Sequence, residues 1–365
     1  YAWAFLTIGI ALGSYWAYYE LGWGGYWFWD PVENVSLIPW LLATALIHSQ
    51  IVTEKRKIFQ SWTILLAIAC FSMSLLGTFL VRSGILSSVH AFASDPVRGL
   101  VILGFLVFII GGSLSLYVFR VGHHSKQGAG FALLAKETWL LWNNMILAVM
   151  GLSVLLGTLY PLIFEVLNKN LISVGPPFFN SVMIPLTCAL IFVMGLGPFS
   201  NWKISNNRVL LRALFKTSLL TMAIVMLTLF IGQGSTPILA ILGVSLGAWI
   251  VIATTIDVIT FFSGPNRRLK ARILLCFPFI GRWSAHFGVG ILIFGITMVE
   301  NFSINEEVRM KPGSDYLIGD LSVYFSAVEN IKGANYLSER GIFTITFANG
   351  RTMNFFPEKR RYPTR

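Results

Sequence analysis

The sequence predicts an all-α polytopic membrane protein followed by a small C-terminal β domain. Of the 365 residues, 55% are hydrophobic and only 12% are charged, whereas soluble domains carry about 25% charged residues. Several apolar runs exceed the roughly 18 residues that indicate a membrane span, and the mean hydropathy is +0.71. After Ser303 these runs stop, and short segments rich in β-branched and aromatic residues follow.

The apolar runs predict about nine transmembrane helices within residues 1–302. We expect them at about 2–18, 35–52, 59–81, 98–119, 139–165, 180–200, 214–232, 237–262 and 283–302. Pro161 is expected to break the fifth span, because proline removes a helical hydrogen bond. The three cysteines, Cys70, Cys188 and Cys276, are far apart, which favours neither a disulfide framework nor a thiol redox pair.

The basic residues between the spans predict the orientation of the helices. Cytoplasmic loops are enriched in Lys and Arg, and fifteen basic residues fall on one side: Lys55, Arg56, Lys57, Arg120, Lys126, Lys136, Lys203, Arg208, Arg212, Lys216, Arg267, Arg268, Lys270, Arg272 and Arg282. Only three fall on the other side: Arg82, Arg98 and Lys169. This topology explains the net charge of +11 better than nucleic-acid binding does.

Residues 303–365 are predicted to form an extracytoplasmic β-rich domain. Residues 322–326 and 341–347 have strand-like composition, and Asn349-Gly350 is a strong hairpin-turn signal. The chain begins at Tyr1 and ends at Arg365 without a further span. We therefore expect a truncated β domain and a sequence that is a piece of a longer protein.

A tryptophan-rich loop at residues 22–34 lies between the first two spans, on the outward side. It reads Gly-Trp-Gly-Gly-Tyr-Trp-Phe-Trp-Asp-Pro-Val-Glu-Asn. One interpretation is an aromatic belt at the membrane surface; the other is a platform for a flat ligand, since glycines allow close backbone approach. The platform interpretation predicts that Asp30 or Glu33 accepts backbone hydrogen bonds, because carboxylates beside hydrocarbon need partners.

Two histidines are predicted to lie at similar depth in the membrane. His48 precedes Lys55 by seven residues and His286 follows Arg282 by four, so both lie roughly 6–10 Å from the inner face. Equal depth is required of an axial pair on one heme. The alternative is that each imidazole separately hydrogen-bonds a backbone carbonyl of a neighbouring helix.

His90 is predicted to face outward, in the segment from Arg82 to Pro96. A lone outward histidine is commonly a solvated or capping residue. The surrounding Gly, Ser and Phe residues favour a pocket for an apolar ring that bears carboxylates, with Arg82 as the carboxylate partner. His123 and His124 lie in a cytoplasmic loop and are interpreted as solvated, with a labile metal site as the alternative. Asp257 is interpreted as a helix-end carboxylate, with a proton-handling role as the alternative.

Taken together, these stretches resemble the CcmF family of cytochrome c maturation. The tryptophan-rich loop is similar to the "WWD" signature of a wider heme-handling superfamily that includes the CcmC and CcsA types. Four later segments follow in the CcmF order: 76–84 around Arg82, the segment around His90, the Gly157–Pro161 turn and the Val174–Asn180 turn. The resemblance extends over essentially the whole chain. The related nitrite-reductase assembly paralogue is an alternative identification.

The resemblance implies a role for each matching residue. His48 and His286 would be the axial ligands of a resident heme b, and His90 would be the catalytic residue and one of two outward ligands of an incoming heme. The binding platform would comprise Trp23, Gly24, Gly25, Trp27, Trp29, Asp30, Pro31, Glu33, Asn34 and Arg82. The other outward histidine should precede the loop, and no histidine precedes His48.

The function implied by the resemblance is a heme lyase that joins heme vinyl groups to the thiols of a C-x-x-C-H motif. Implied partners are the heme chaperone CcmE, apocytochrome c, the thiol-handling protein CcmH, quinol and membrane lipids, without nucleic acid. The implied location is the bacterial inner membrane with the active face periplasmic, or the mitochondrial inner membrane. A CcmC-like heme export or binding platform and a secondary transporter are the alternatives.

Overall fold

The computed structural model describes residues 1–20, 26–85, 95–121, 130–168, 172–232, 236–263, 277–304 and 306–363. It divides into two compact units, Tyr1–Asn301 and Phe302–Arg365. The first is helical and the second is an antiparallel sheet. The predicted fold class, a polytopic helical protein with a small β domain, is confirmed.

Nine long helices form the first unit within the described ranges. They are α1 (Ala2–Glu20), α2 (Pro31–Arg56), α3 (Gln60–Ser83), α4 (Pro96–Val121), α5 (Lys136–Asn168), α6 (Pro176–Leu196), α7 (Asn207–Ile231), α8 (Ile238–Ser263) and α9 (Phe277–Phe302). In this part of the chain, eight of them, α2 to α9, are long and apolar enough to cross a membrane. The 19-residue α1 is rich in Tyr and Trp, which lower its mean hydropathy, and is not among the eight.

The α2 helix lies at the centre of the main core, between α3 and α5. Its apolar face packs against α3, α5 and α6 in a cluster formed by Ile38, Leu41, Leu42, Ala45, Leu66, Leu147, Met150, Val154, Phe179 and Met183. A second cluster joins α6 and α8 through Ile191, Leu196, Trp249 and Ile250. Because lipid is as apolar as these side chains, close van der Waals packing between helices supplies much of the association energy.

Glycines allow α9 to approach α8 closely. A Cβ atom at Gly247 would lie 3.1 Å from Phe294, and one at Gly290 would lie 2.5 Å from Val251. Small residues at such crossings are typical of membrane helices. The contact positions α9, and hence His286, against the remainder of the helical unit.

The expectation that Pro161 breaks the fifth span is wrong. The α5 helix continues through Pro161 to Asn168. A proline removes only one helical hydrogen bond, whereas ending the helix in hydrocarbon would expose several backbone groups without water to pair them. The outer end of α5 therefore stays helical beside α6.

The second unit is a five-stranded antiparallel sheet. Its strands are β1 (Ser314–Ile318), β2 (Leu321–Lys332), β3 (Leu337–Thr346), β4 (Thr352–Phe355) and β5 (Glu358–Arg361). The order is β1-β2-β3-β4, and β5 also pairs with β3. Gly350 has φ +78° in the β3–β4 turn, as the Asn-Gly pair predicts. Phe325 and Phe343 stack across β2 and β3 with centroids 4.4 Å apart.

Candidate functional site

The structure brings His48 and His286 together, although 237 positions separate them in the sequence. His48 lies on α2 and His286 lies on α9, and their ring centroids are 6.4 Å apart with an interplanar angle of 46°. Both side chains are partly buried in the helical unit. Two imidazoles at this spacing can bind one group between them.

Asn143 supports His48 from α5. Its carboxamide nitrogen lies 3.1 Å from His48 Nδ1, and the Asn143 side chain is only 8% exposed. A partner on Nδ1 leaves Nε2 as the nitrogen directed away from α5. Histidines that bind metals nearly always donate the other ring N–H to an acceptor, and the carboxamide oxygen of Asn143 is such an acceptor when the amide is turned over. Sequence reasoning missed Asn143, although two adjacent asparagines in an apolar run were a signal.

Asp257 forms an ion pair with Arg282 at 2.7 Å, one turn before His286 on α9. This pair agrees with the interpretation of Asp257 as a helix-end carboxylate. It also ties the end of α8 to the beginning of α9. The position of His286 along its helix is thereby held by a charge pair as well as by packing.

The outward loop ends in a complete N-terminal cap of α2. Asp30 Oδ2 accepts the N–H of Val32 at 3.0 Å, and Glu33 Oε2 accepts the N–H groups of Phe28 and Asp30 at 2.9 and 3.3 Å. Pro31 occupies the first helical turn, where its missing N–H is tolerated. Both carboxylates therefore accept the backbone hydrogen bonds that the platform interpretation predicts.

Trp29 is held in a strained conformation by three neighbours. Its φ is +55°, which is rare for a bulky residue and costs about 1–2 kcal/mol. Its indole N–H donates to Asn180 Oδ1 at 2.8 Å and its ring stacks on Phe179 at 4.9 Å. The Asn34 amide donates to the Trp29 carbonyl and to Thr158 Oγ1, each at 3.1 Å. The indole is thus fixed against α6 rather than lying freely in lipid.

Trp27 completes the described part of the aromatic platform. Its ring meets that of Trp29 edge to face, with centroids 6.0 Å apart. Within the described residues, the buried Trp27 Nε1 and Asn34 Oδ1 have no hydrogen-bond partner. Burial and the nearby Glu300 carboxylate raise the pKa of Tyr26 to about 12, so this phenol stays neutral. Buried unpaired polar atoms cost stability, which is consistent with a polar ligand at this end of the unit.

The remaining predicted site residues are only partly described. Arg82 lies in the last turn of α3, and its carbonyl accepts the N–H of Asp95 at 2.8 Å. Trp23, Gly24, Gly25 and His90 lie outside the described residues. The structure therefore describes the platform only from Tyr26 onward.

The paired histidines fit a heme. A metal bound to two imidazoles at about 2.0 Å, with each nitrogen about 1.1 Å from its ring centroid, would separate the centroids by about 6.2 Å. The observed separation is 6.4 Å. In the part of the chain that the structure describes, no group of three or more His, Cys, Asp or Glu side chains could hold a metal ion. A metal at the pair would need most of its ligands from elsewhere, as the macrocycle of a heme provides.

Comparison with known proteins assigns the family. A cytochrome c assembly protein model matches residues 1–86, and a model of the CcmF C-terminal β-sandwich matches residues 301–365. CcmF of Pseudomonas aeruginosa, a cytochrome c-type biogenesis protein, is 46% identical over 99% of this chain and 54% of its own length. The chain belongs to the CcmF family.

Further relatives extend this result. NrfE of Haemophilus influenzae, another cytochrome c-type biogenesis protein, is 36% identical over the whole chain and 56% of its own length. A solved structure titled cytochrome c heme lyase CcmF matches with a TM-score of 0.76 at 28% identity. The match covers 98% of this chain and 56% of that one. This member of the CcmF family spans about half the length of the curated relatives it matches.

Proposed function

We propose that this chain forms the resident-heme site of a cytochrome c heme lyase, with His48 and His286 as the axial ligands of a heme b. The observation that carries the proposal is the 6.4 Å separation of the two ring centroids. The CcmF relatives are named for cytochrome c biogenesis, and the solved structure is titled a heme lyase. When bound, such a heme supplies a one-electron carrier.

The chain's own residues position this group. The two imidazoles bind from α2 and α9, and Asn143 orients His48 through Nδ1. Both imidazoles are partly buried among apolar helices, which limits the access of water to the pair. The family analogy makes quinol the source of electrons that reach the incoming heme through this site.

The tryptophan-rich loop is the proposed binding platform for the substrate heme. Trp27 and Trp29 present fixed aromatic surfaces, and the family analogy makes His90 an axial ligand. Arg82, in the same segment as His90, would be the partner of a heme carboxylate. The fixed indoles, rather than a nucleophile of the chain, would supply catalysis by positioning. This role of the loop is the one that the family resemblance implies, assigned to the matching residues of this chain.

The reaction joins two substrates. A cysteine S–H of the apocytochrome C-x-x-C-H motif adds across a heme vinyl double bond, so that a C–S bond forms and the hydrogen goes to the other vinyl carbon. The addition is redox-neutral and proceeds with reduced iron. CcmE delivers the heme and CcmH handles the thiols in this proposal. The proposed location of the protein is the bacterial inner membrane with a periplasmic active face, or the mitochondrial inner membrane.

An optical spectrum of the purified protein tests the resident heme. We expect a b-type spectrum that is lost in His48→Ala and in His286→Ala and retained in the matched control His123→Ala. A protein without bound heme, or one whose spectrum survives both site substitutions, would contradict the proposal. Retained outer heme without a buried heme would instead favour a CcmC-like export or binding platform.

A further inference from the structure

Three helices each carry a cationic side chain on the same face as the histidine site. Lys55 follows His48 by seven residues on α2, and Lys136 precedes Asn143 by seven on α5. Arg282 precedes His286 by four on α9. Residues spaced by four or seven share one face of a helix. The cations are therefore displaced from the pair along the helix axes by about 6–10 Å, at 1.5 Å per residue.

The three cations converge at one end of the helical unit. The Lys55 and Lys136 ammonium groups lie 5.5 and 5.9 Å from the centroid of the Trp202 ring. Lys136 also interacts electrostatically with Arg282, which in turn interacts with His286. The three cations therefore lie on α2, α5 and α9 beyond the histidine pair, toward the end of the helices that the loop charges predict to be cytoplasmic.

This cluster has an excess of positive charge. Its described carboxylates are Asp257, which pairs with Arg282 at 2.7 Å, and Glu137, which pairs with Arg56. Elsewhere in the described ranges, neither Lys55 nor Lys136 has a carboxylate within ion-pair distance. When the Arg56–Glu137 pair is counted as neutral, the remaining three cations and one carboxylate leave two positive charges beside the histidine pair. Lys136 is half-buried, whereas Lys55 and Arg282 are exposed. Like charges this close together repel one another, so the arrangement favours an anion between them.

The cations lie within reach of carboxylate arms on a group held by the histidine pair. Lys136 and Arg282 lie on α5 and α9, one to two helical turns from Asn143 and His286 and toward the same end of the helical unit. The displacement of about 6–10 Å is comparable with the reach of a propionate arm from the centre of a porphyrin.

We propose that Lys136 and Arg282, with Lys55 beside them, bind the two propionate carboxylates of the heme held by His48 and His286. The proposal rests on the resident-heme site described above and adds the direction in which that heme is seated. Two propionates balance the two excess positive charges. Charge-assisted hydrogen bonds between cations and carboxylates are among the stronger polar interactions. The cations also favour the reduced iron, because it carries one positive charge fewer.

Binding of hemin and of its dimethyl ester to the heme-depleted protein tests the proposal. The ester keeps the iron and the ring but lacks both carboxylate charges. We expect the wild-type protein to bind the ester about 100-fold more weakly, since each lost charge-assisted contact is worth about tenfold. Lys136→Met should weaken hemin binding about tenfold and leave ester binding unchanged. Its Soret maximum should stay that of the bis-histidine complex.

Two further variants provide a second test of the cations and a control. Asp257→Asn combined with Arg282→Gln removes the second cation without leaving a carboxylate unpaired, and it should also weaken hemin selectively. Arg212→Gln, on the exposed face of α7, is the matched control and should bind both ligands like the wild type. The heme midpoint potential should fall in Lys136→Met, which removes a net positive charge, and not in the control.

The outcomes separate this inference from the proposed function. Equal binding of hemin and its ester by the wild-type protein overturns the propionate assignment, as does a Lys136→Met variant that weakens both ligands alike. Failure of the wild-type protein to form a bis-histidine spectrum with either ligand overturns the resident-heme site itself. Size-exclusion profiles of the variants identify any that simply fail to fold.

Discussion

The carboxamide of Asn143 lies 3.1 Å from Nδ1 of His48, which joins α5 to the histidine pair formed by α2 and α9. With the amide nitrogen facing Nδ1, that ring nitrogen accepts and Nε2 carries the proton. A half-turn of the carboxamide presents its oxygen, so that Nδ1–H donates and Nε2 offers a lone pair. Asn143 can therefore stabilise either tautomer of His48, and the second is the one that binds a metal.

Asn143→Ala should weaken heme binding by about 10–100-fold, because the tautomer and ring orientation of His48 lose their support. A Soret titration of the heme-depleted protein measures the change, and the midpoint potential should shift with it. Ser153→Ala on the same helix is the control, since the Ser153 hydroxyl bonds only its own helix, at Val149. Unchanged affinity and potential in Asn143→Ala would show that this amide does not support the ligand.

Gly157→Ala should destabilise the outer end of the helical unit. A Cβ at Gly157 would lie 2.6 Å from the Phe178 ring and 2.7 Å from the Phe179 ring, on which Trp29 stacks. Overpacking of this kind costs about 1–3 kcal/mol, more than the about 1 kcal/mol that alanine gains over glycine in a helix. Thermal unfolding in detergent should show a lower midpoint.

The matched control is Gly151→Ala on the same helix. A Cβ there would lie 3.8 Å from Leu42, an ordinary van der Waals distance. This variant should be neutral or slightly stabilising, because it gains helix propensity without a clash. If the two variants unfold at the same temperature, the aromatic packing around Trp29 does not constrain Gly157.

The helices and the depth of the histidines could be predicted from the sequence because both depend on local properties. Apolar runs set the positions of the spans, and the rise of about 1.5 Å per residue places His48 and His286 relative to nearby basic residues. The continuation of α5 past Pro161 could not be predicted in this way. It depends on the environment of the helix end, where hydrocarbon penalises exposed backbone more than proline penalises the helix.

The supporting residues of the site depend on which helices pack together, and single-sequence patterns do not give that pairing. Asn143 approaches His48 because α5 packs on α2. Asn180 receives the Trp29 indole N–H across 151 positions. The cap of α2 was partly predictable, since Asp30-Pro31 with Glu33 three residues after Asp30 is a capping-box pattern. The positions of His90, Trp23, Gly24 and Gly25 stay predictions.

A buried ion pair joins Arg56 at the end of α2 to Glu137 at the start of α5. The side chains are 10% and 0% exposed, and Glu137 also accepts the backbone N–H of Lys203 at 3.1 Å. Arg56→Met should destabilise the protein by about 3–5 kcal/mol, because it leaves a buried carboxylate without its counter-charge. Thermal or denaturant unfolding in detergent measures the loss.

Two comparisons identify the cause of that loss. Arg56→Met combined with Glu137→Gln should recover much of the stability, since the second change neutralises the stranded carboxylate. Arg98→Met breaks an exposed pair with Asp95, in which the side chains are 70% and 34% exposed, and should cost less than about 1 kcal/mol. A double variant as unstable as Arg56→Met would show that packing rather than charge was lost.

His90→Ala should abolish cytochrome c maturation while leaving the spectrum of the buried heme intact. The prediction follows from the hypothesis of two heme sites. In it, His90 binds the incoming heme, and the histidine pair, whose ring centroids are 6.4 Å apart, binds the resident heme. Maturation is measured as covalent heme on a reporter cytochrome in cells that express the full-length protein. Reduced-minus-oxidised spectra of the purified variant report the buried heme.

The converse substitution distinguishes the sites. His286→Ala should remove the buried b-type spectrum and, with it, the proposed reduction of the incoming heme, while heme offered from outside still binds the tryptophan-rich loop. If His90→Ala instead lost the buried heme and kept the outer one, the two assignments would be reversed. If maturation survived His90→Ala unchanged, His90 would be a loop residue without a role in ligation, and the platform around Trp27 and Trp29 would have to hold its heme by stacking alone.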